Sequence, residues 1–174
     1  MPDAARPHNR RAPQSPRYVS RVDGVIAVDD PAADDVRALL GTHLAYARAT
    51  TLPEEVYALD VDALLDPAVT FFSFRADGAL LGVAALKRID DEHAEIKSMH
   101  TAEAARGQGI GRRLVDHLLA VARERGYARV SLETGAGPAF AAARELYGRA
   151  GFAPCPPFGD YMPSPNSTCM TLAL

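Results

Sequence analysis

This sequence of 174 residues is short of several features, and each shortage excludes a class of protein. Its two cysteines are too few for a disulfide framework or a cysteine-based metal site. No apolar run approaches the length of a membrane span, and the N-terminus lacks the apolar core of a signal peptide. The net charge of −3 gives no broad basic surface for nucleic acid. We therefore predict a cytoplasmic protein with reduced thiols, no metal, and neither a membrane nor a nucleic-acid partner.

The composition is that of an ordinary globular protein. Hydrophobic residues make up 48% of the chain and charged residues 24%, and its length suits a single domain. Residues 1–20 differ from the rest because they combine four prolines with several arginines and few large apolar residues. We interpret residues 1–20 as a flexible Pro/Arg-rich tail and residues 21–174 as the folded domain.

The apolar periodicity predicts an alternation of strands and helices. Strands are expected at 24–28, 69–75, 79–88, 95–101, 128–134 and 167–174. Helices are expected from Asp29-Asp30-Pro31 onward, from Pro53 to Leu65, and over 110–125 and 139–150. The turn Ala76-Asp77-Gly78 indicates a hairpin between two of the strands.

The glycine-rich segment Arg106-Gly107-Gln108-Gly109-Ile110-Gly111 is the most informative stretch of the chain. It joins the strand at 95–101 to the helix at 110–125, and this helix lacks a Ser, Thr, Asp or Asn cap. Its first turn carries Arg112 and Arg113 instead of acidic residues. The free N–H groups and the positive end of the helix dipole therefore favour a bound anion, and phosphate is the natural one.

Three kinds of phosphate-binding loop compete for this segment. A P-loop requires a lysine after the glycines, and none is present. A dinucleotide-binding loop requires G-x-G-x-x-G/A, whose last position falls on Arg112 or Leu114 in the two available registers. The third kind of loop has the pattern Arg-x-x-Gly-x-Gly, and Arg106, Gly109 and Gly111 match it. A second landmark, Leu146-Tyr147-Gly148-Arg149-Ala150-Gly151-Phe152, follows at the end of a predicted helix.

With these two landmarks in this order, the chain resembles the GNAT superfamily of acyl-CoA N-acyltransferases from about Gly24 onward. The resemblance implies an α/β fold in which a splayed mixed β-sheet is flanked by helices. It also implies an N-acetyltransferase that uses acetyl-CoA, in a bacterial subgroup with mostly unassigned substrates, and a homodimer as the default assembly. The alternative is a non-catalytic acyl-CoA-binding sensor or interaction module, because fold alone does not settle activity.

The resemblance also assigns cofactor-binding residues. Backbone amides of the Arg106–Gly111 loop, those of Gln108, Gly109, Ile110 and Gly111 above all, would hold the pyrophosphate, with Arg112 and Arg113 as helpers. A backbone N–H of Met99, His100 or Thr101 would lie near the thioester carbonyl, where one such donor stabilises a transition state by about 3 kcal/mol. Phe140 stands where family members often have an asparagine, so one polar contact to the cofactor is missing or replaced.

Tyr147 matches the tyrosine that the family places near the sulfur. A phenol with a pKa near ~10 can protonate a departing thiolate, so Tyr147 is the candidate general acid. The alternative is that Tyr147 only packs and hydrogen-bonds the cofactor.

Two carboxylates and a histidine are candidates for the general base that deprotonates the acceptor. Glu95 lies on the strand before the loop, and Glu133 lies near the end of the next strand. Strict alternation would place Glu95, Lys97, Met99 and Thr101 on one face of the strand, with His100 on the other. Glu95 and Lys97 could instead form a solvated or ion-paired patch. His100, with an ordinary pKa near ~6.5, is the third candidate.

The segment after the second landmark is rich in proline and contains Phe158, Asp160 and Tyr161. An aromatic wall, a charge and a hydroxyl suit a pocket for the acceptor. We therefore predict a small, polar amine acceptor. Lys97 would bind an acceptor carboxylate, Asp160 or Glu133 would lie near the acceptor amine, and Tyr161 would contribute its hydroxyl. Cys155 is not needed as a nucleophile if the amine attacks acetyl-CoA directly in a ternary complex.

Overall fold

The computed structural model describes residues 22–50 and 60–174. The predicted tail at 1–20 and most of the predicted helical piece from Pro53 lie outside the described residues. Within them, no helix is both long enough and apolar enough to cross a bilayer.

A single mixed sheet forms the centre of the described fold. Its strands are β1 Val25–Val28, β2 Val69–Ala76, β3 Ala79–Arg88, β4 His93–Thr101, β5 Arg129–Gly135, β6 Ala153–Pro154 and β7 Ser167–Ala173. The spatial order is β1-β2-β3-β4-β5-β7-β6, in which β4 and β5 are parallel and all other neighbours are antiparallel. Asp77 and Gly78 both have positive φ and form the two-residue turn between β2 and β3, which confirms the predicted hairpin.

Helices cover both faces of this sheet. They are α1 Asp34–Thr50, α2 Val61–Leu64, α3 Ile110–Glu124 and α4 Ala141–Arg149, with short 3-10 helices at Glu103–Ala105 and Pro138–Phe140. One buried cluster joins α3 and α4 to Ile96 and Leu132 of the sheet. A smaller cluster joins α1 and α2 to Phe71 and Val83 on the opposite face.

Helix α1 begins at Asp34, three residues after the predicted start at Pro31. The carboxylate of Asp29 accepts hydrogen bonds from Ser73 and Arg75 of β2, and so does not cap a helix. Asp30 instead closes a turn, because its backbone carbonyl accepts from the N–H of Ala33. Asp34 and Asp35 then supply the acidic first turn that favours a helix start.

The predicted alternation along β4 is wrong beyond Lys97, because the strand contains a β-bulge. Ala85 pairs with Lys97 and Val83 with His100, so Ala84 lies opposite two residues, and Ser98 takes a left-handed φ of 49°. Lys97 therefore shares a face with His100, whose ring lies 5.0 Å from that of His43 on α1.

The bulge moves Met99 and Thr101 to the opposite face of β4. Met99 packs against the cluster under α3, and a Cβ at Gly111 of α3 would lie 3.6 Å from Met99 and 3.8 Å from Thr101. On one face of the sheet β4 thus carries Glu95 and Lys97 before the bulge, and on the other face it carries Met99 and Thr101 after the bulge.

The sheet opens at the end of the parallel pair. The ladder between β4 and β5 runs from His93 and Arg129 to Ile96 and Leu132 and includes no later residue of either strand. Beyond that point the two strands diverge, one toward the glycine-rich loop and the other toward Gly135. The opening lies beside the N-terminus of α3.

Candidate active site

The glycine-rich loop delivers an uncapped helix N-terminus to the opening of the sheet. Gly107 and Gly109 have φ values of 75° and 79°, a left-handed conformation that glycine adopts without strain. Gly109 is the N-cap of α3, no side chain caps this end, and the first turn has no acidic residue. The first N–H bond along the helix runs from Arg113 to the carbonyl of Gly109, so the preceding amides are available to a ligand.

A groove of about 480 Å³ starts at these amides. We define it by its lining residues, which come from the end of β4, the loop, the start of α3 and one side of α4: Met99, His100, Thr101, Ala105, Arg106, Gly107, Gly109, Ile110, Gly111, Arg112, Ala142, Ala143, Leu146, Tyr147 and Arg149. No atom would crowd a Cβ at Gly107 or Gly109, so the backbone there faces open space. This arrangement fits a long ligand with a phosphate group at the helix end.

The side chains of Arg112 and Gln108, both predicted to bind the cofactor, take different positions. Arg112 lines the groove and hydrogen-bonds Asp116 and the carbonyl of Arg149. The side chain of Gln108 instead donates to the carbonyl of Ala104, within the loop itself.

The Arg113 side chain points away from the groove, so its position gives no support to the predicted role as a cofactor helper. Its guanidinium donates to the carbonyls of Val22 and Gly24 at 2.7 Å and lies over the ring of Phe74. These contacts fasten the start of the described chain to α3, a structural role that local sequence spacing could not reveal.

Tyr147 is buried at the inner end of the groove. Its hydroxyl lies 3.6 Å from the sulfur of Met99, and its ring packs edge-on against Phe152. Burial raises the pKa of the Tyr147 phenol, and the carboxylate of Glu133 raises it further. The phenol is therefore protonated, which is the form that a general acid requires.

The opposite side of the opening is polar. We call it the polar face: the side of β4, β5 and β7 that carries Glu95, Lys97, Ser131, Glu133 and Cys169. The covering loop, residues 155–166, lies over part of this face. The ring of Phe158 lies 5.4 Å from that of His93, which hydrogen-bonds Ser131.

Glu95, Lys97 and Tyr161 form a buried network on the polar face. The Lys97 ammonium lies 3.3 Å from the Glu95 carboxylate and 2.6 Å from the Tyr161 hydroxyl, which donates to Glu95. The side chains of Glu95 and Lys97 are only 6% and 10% exposed. The ion-paired alternative for Glu95 and Lys97 therefore describes this structure. Asp160, by contrast, is exposed and does not line the groove.

Glu133 has a more open position than Glu95. It is partly exposed and accepts a hydrogen bond from Ser167 at 2.6 Å. Its negative charge adds to the effect of burial in raising the pKa of both Tyr147 and Tyr161.

Comparison with known proteins identifies the family. The model of the acetyltransferase (GNAT) family matches residues 36–152, a span that contains the loop and Tyr147. This chain belongs to the GNAT family. It is 40% identical over 149 residues to the uncharacterized N-acetyltransferase YsnE of Bacillus subtilis (strain 168), covering 86% of this chain and 99% of YsnE. It is 41% identical over 149 residues to the uncharacterized N-acetyltransferase YedL of Escherichia coli (strain K12), covering 86% and 94%.

Structural comparison confirms the GNAT fold. A GNAT family acetyltransferase from Elizabethkingia anophelis, solved with acetyl-CoA bound, superimposes with a TM-score of 0.65 at 20% identity, covering 87% of this chain and 98% of that one. The protein is an acyl-CoA-dependent acetyltransferase, and acetyl-CoA is its cosubstrate. The open backbone at Gly107 and Gly109 and the uncapped end of α3 fit the pyrophosphate of that molecule.

Phe140, the departure from the usual asparagine, packs on the end of β5. A Cβ at Gly135 would lie only 2.3 Å from the Phe140 ring, so the ring occupies the space that a side chain would take. Arg144 also binds this corner, donating to the carbonyls of Gly135 and Gly137. The Phe140 side chain therefore has a packing role at the end of β5.

We expect Gly109→Ala to weaken coenzyme A binding by about 10- to 100-fold, because the new methyl group stands where the loop backbone faces the phosphate. Gly78→Ala is the matched control. Gly78 has nearly the same φ, 78° against 79°, with equally open surroundings, but lies in the β2–β3 turn. Calorimetric titration with coenzyme A and thermal unfolding should show similar losses of Tm in both variants and a loss of affinity in Gly109→Ala alone. Equal affinities would refute the assignment of the loop.

His100 is a buried base without a hydrogen-bond partner for its Nε2. Burial lowers its pKa to about 4, and the positive charges of His43 and Arg106 contribute. Such a group is neutral near neutral pH and a weak proton acceptor, so we do not favour His100 as the general base.

The same pKa predicts acid sensitivity. Because an unfolded histidine has a pKa near ~6.5, the unfolded chain binds a proton between pH ~6.5 and ~4 that folded His100 does not bind. The free energy of unfolding should therefore decrease as the pH is lowered from ~6.5 to ~4, and His100 should contribute about 3 kcal/mol to this decrease. Urea unfolding at pH ~7 and ~4.5 should show a smaller drop for His100→Phe than for the wild type. An equal drop would contradict the assignment.

Proposed function

We propose that the protein transfers the acetyl group of acetyl-CoA to the amine of a small polar acceptor, by direct attack within a ternary complex. The observation that carries this proposal is that the groove and the polar face adjoin at the opening of the sheet. Tyr147 closes the groove on one side, and the charge of Glu133 acts on it from the polar face. An acceptor that enters from the polar face can thus reach a thioester held in the groove.

Glu133 is our candidate for the general base. An alkylammonium has a pKa near ~10, so it must lose a proton before its nitrogen can attack the carbonyl carbon. Glu133 is partly exposed, held by Ser167, and close enough to Tyr147 to influence its ionisation. As the C–S bond breaks, the leaving thiolate takes the proton of Tyr147, which solvent later replaces.

Glu95 and Lys97 have a different role in this proposal. The carboxylate of Glu95 is already bound by Lys97 and Tyr161, and neither charged group has much access to solvent. We therefore propose Lys97 as the counterion of Glu95 instead of a ligand for an acceptor carboxylate. The network attaches Tyr161 of the covering loop to β4 and so fixes one wall of the acceptor site.

Direct attack agrees with the placement of the thiols. The groove contains no cysteine among the described residues, because Cys169 lies on β7, opposite Glu133, and Cys155 lies just past β6. Burial also raises the pKa of both thiols, which disfavours the thiolate that a covalent route requires.

An acceptor screen tests the proposal. We would incubate the protein with acetyl-CoA and a panel of small amines, amino acids and peptides with free N-termini, and follow the release of coenzyme A thiol. We expect turnover with a subset of small polar amines and little with peptides, because the covering loop occupies part of the polar face. Turnover with peptides alone would reject the small acceptor. Tight binding of acetyl-CoA without turnover on any amine would support the non-catalytic module.

A further inference from the structure

The two cysteines of the chain lie directly opposite each other, which their 14-residue separation in the sequence does not suggest. β6 and β7 pair Ala153 with Thr171 and Pro154 with Met170, so the next position brings Cys155 opposite Cys169. The N–H of Cys155 donates to the carbonyl of Cys169 at 3.0 Å, which continues the antiparallel pattern past the end of β6.

The backbone spacing of such a pair is compatible with a disulfide. Opposite residues of a hydrogen-bonded antiparallel pair have Cα atoms about 5.5 Å apart, and disulfides most often span about 5.5–6 Å between Cα atoms. Opposite side chains in such a pair also point to the same face. Cys155 and Cys169 accordingly line one shared cavity of about 270 Å³, at the base of the covering loop.

The two thiols differ in access. Cys155 is partly exposed and Cys169 is buried. Each thiol feels the other, since Cys155 contributes to a pKa of about 11 for Cys169, and a backbone N–H of Phe158 hydrogen-bonds the Cys169 sulfur. Cys155 is therefore the thiol that an oxidant meets first, and Cys169 is placed to react second.

We propose that Cys155 and Cys169 form a reversible disulfide that cross-links the two ends of the covering loop. The oxidant is a low-molecular-weight disulfide. The Cys155 thiolate attacks one sulfur of the oxidant and releases one small thiol. The Cys169 thiolate then attacks the Cys155 sulfur of this mixed disulfide and releases the second. One protein S–S bond forms, one small-molecule S–S bond breaks, and the two protons of the cysteines leave on the small thiols.

This disulfide would act on the polar face, where we propose that the acceptor binds. Cys169 pairs with Glu133 across β5 and β7, and the loop between the cysteines carries Phe158 and Tyr161. Closing the loop at its base restrains Tyr161 where it contacts Glu95. The inference does not depend on the identity of the acceptor, because its readouts are thiol content, mass and thermal stability.

The test uses the full chain, reduced and then incubated with oxidised glutathione at pH ~8.5. The sequence helps here, because no Lys or Arg follows Arg149 and Asp160 is the one acidic residue between the cysteines. Denaturation, alkylation and cleavage before Asp160 should give two fragments joined through Cys155 and Cys169, and the intact mass should fall by two hydrogens. As a control, urea-unfolded protein is incubated with the same reagent to check that both thiols can be oxidised.

Thermal unfolding gives the second readout. The oxidised wild type should melt about 5–10 °C above the reduced protein, because the bond removes loop entropy from the unfolded chain. Cys155→Ser should show no such shift and no linked fragments, and a thiol reductant should reverse both effects in the wild type. A persistent mixed disulfide on Cys155, a disulfide-linked dimer, or two free thiols in the folded protein would each overturn the proposal.

Discussion

Replacing Tyr147 by phenylalanine should lower kcat for acetyl transfer by about 100- to 10,000-fold, while the Kd for acetyl-CoA changes by less than about threefold. The substitution removes the hydroxyl that protonates the leaving thiolate. It keeps the ring that packs against Phe152 and lines the groove. Steady-state kinetics and calorimetric titration with acetyl-CoA separate the two effects.

Tyr127→Phe is the matched control for this prediction. Tyr127 is also a buried tyrosine, just before β5, but it does not line the groove. We expect its variant to keep kcat within about twofold. The wild type should also show no loss of rate from phenol ionisation near pH ~10, because burial and Glu133 raise the pKa of Tyr147. Similar losses of kcat in both variants would point to packing and would reject Tyr147 as the acid.

Replacing Glu133 by glutamine should lower kcat by about 100- to 1,000-fold with little effect on folding. The amide oxygen can still accept the hydrogen bond from Ser167, but it cannot take a proton from the acceptor. The measurement is kcat/KM with the best amine of the screen, together with the free energy of unfolding in urea.

Glu95→Gln provides the contrast. It removes the carboxylate that pairs with the buried ammonium of Lys97, so the free energy of unfolding should fall by about 3 kcal/mol. Glu95→Gln combined with Lys97→Met should recover much of that stability, since no buried charge is then unpaired. A stable Glu95→Gln variant without activity, beside an active Glu133→Gln variant, would transfer the role of base to Glu95.

The sequence predicted best what is encoded locally. The loop at Arg106–Gly111 could be recognised because its glycines, the missing cap and the arginines all lie within a few residues of one helix start. The hairpin at Asp77-Gly78 followed from the same kind of local signal. Within the described residues, the order of strands and helices was confirmed except for the two-residue strand β6, which was not predicted. The family fold was also confirmed.

What could not be predicted depends on distant partners. The bulge at Ser98 has no signature in a residue pattern, since the alternation rule assumes an unbroken ladder. Arg113 follows the loop directly, but its partners Val22 and Gly24 are about ninety positions away. The contact between Lys97 and Tyr161 and the pairing of the cysteines likewise depend on where the covering loop returns to the sheet.

The extra residue in β4 makes one strand serve two compartments. Before the bulge, the charged side chains of Glu95 and Lys97 project toward the polar face, from which we propose that the acceptor enters. After it, Met99 and Thr101 project toward the groove. If the acceptor enters there, we expect substitutions before the bulge to change the choice of amine while the lining of the groove is preserved.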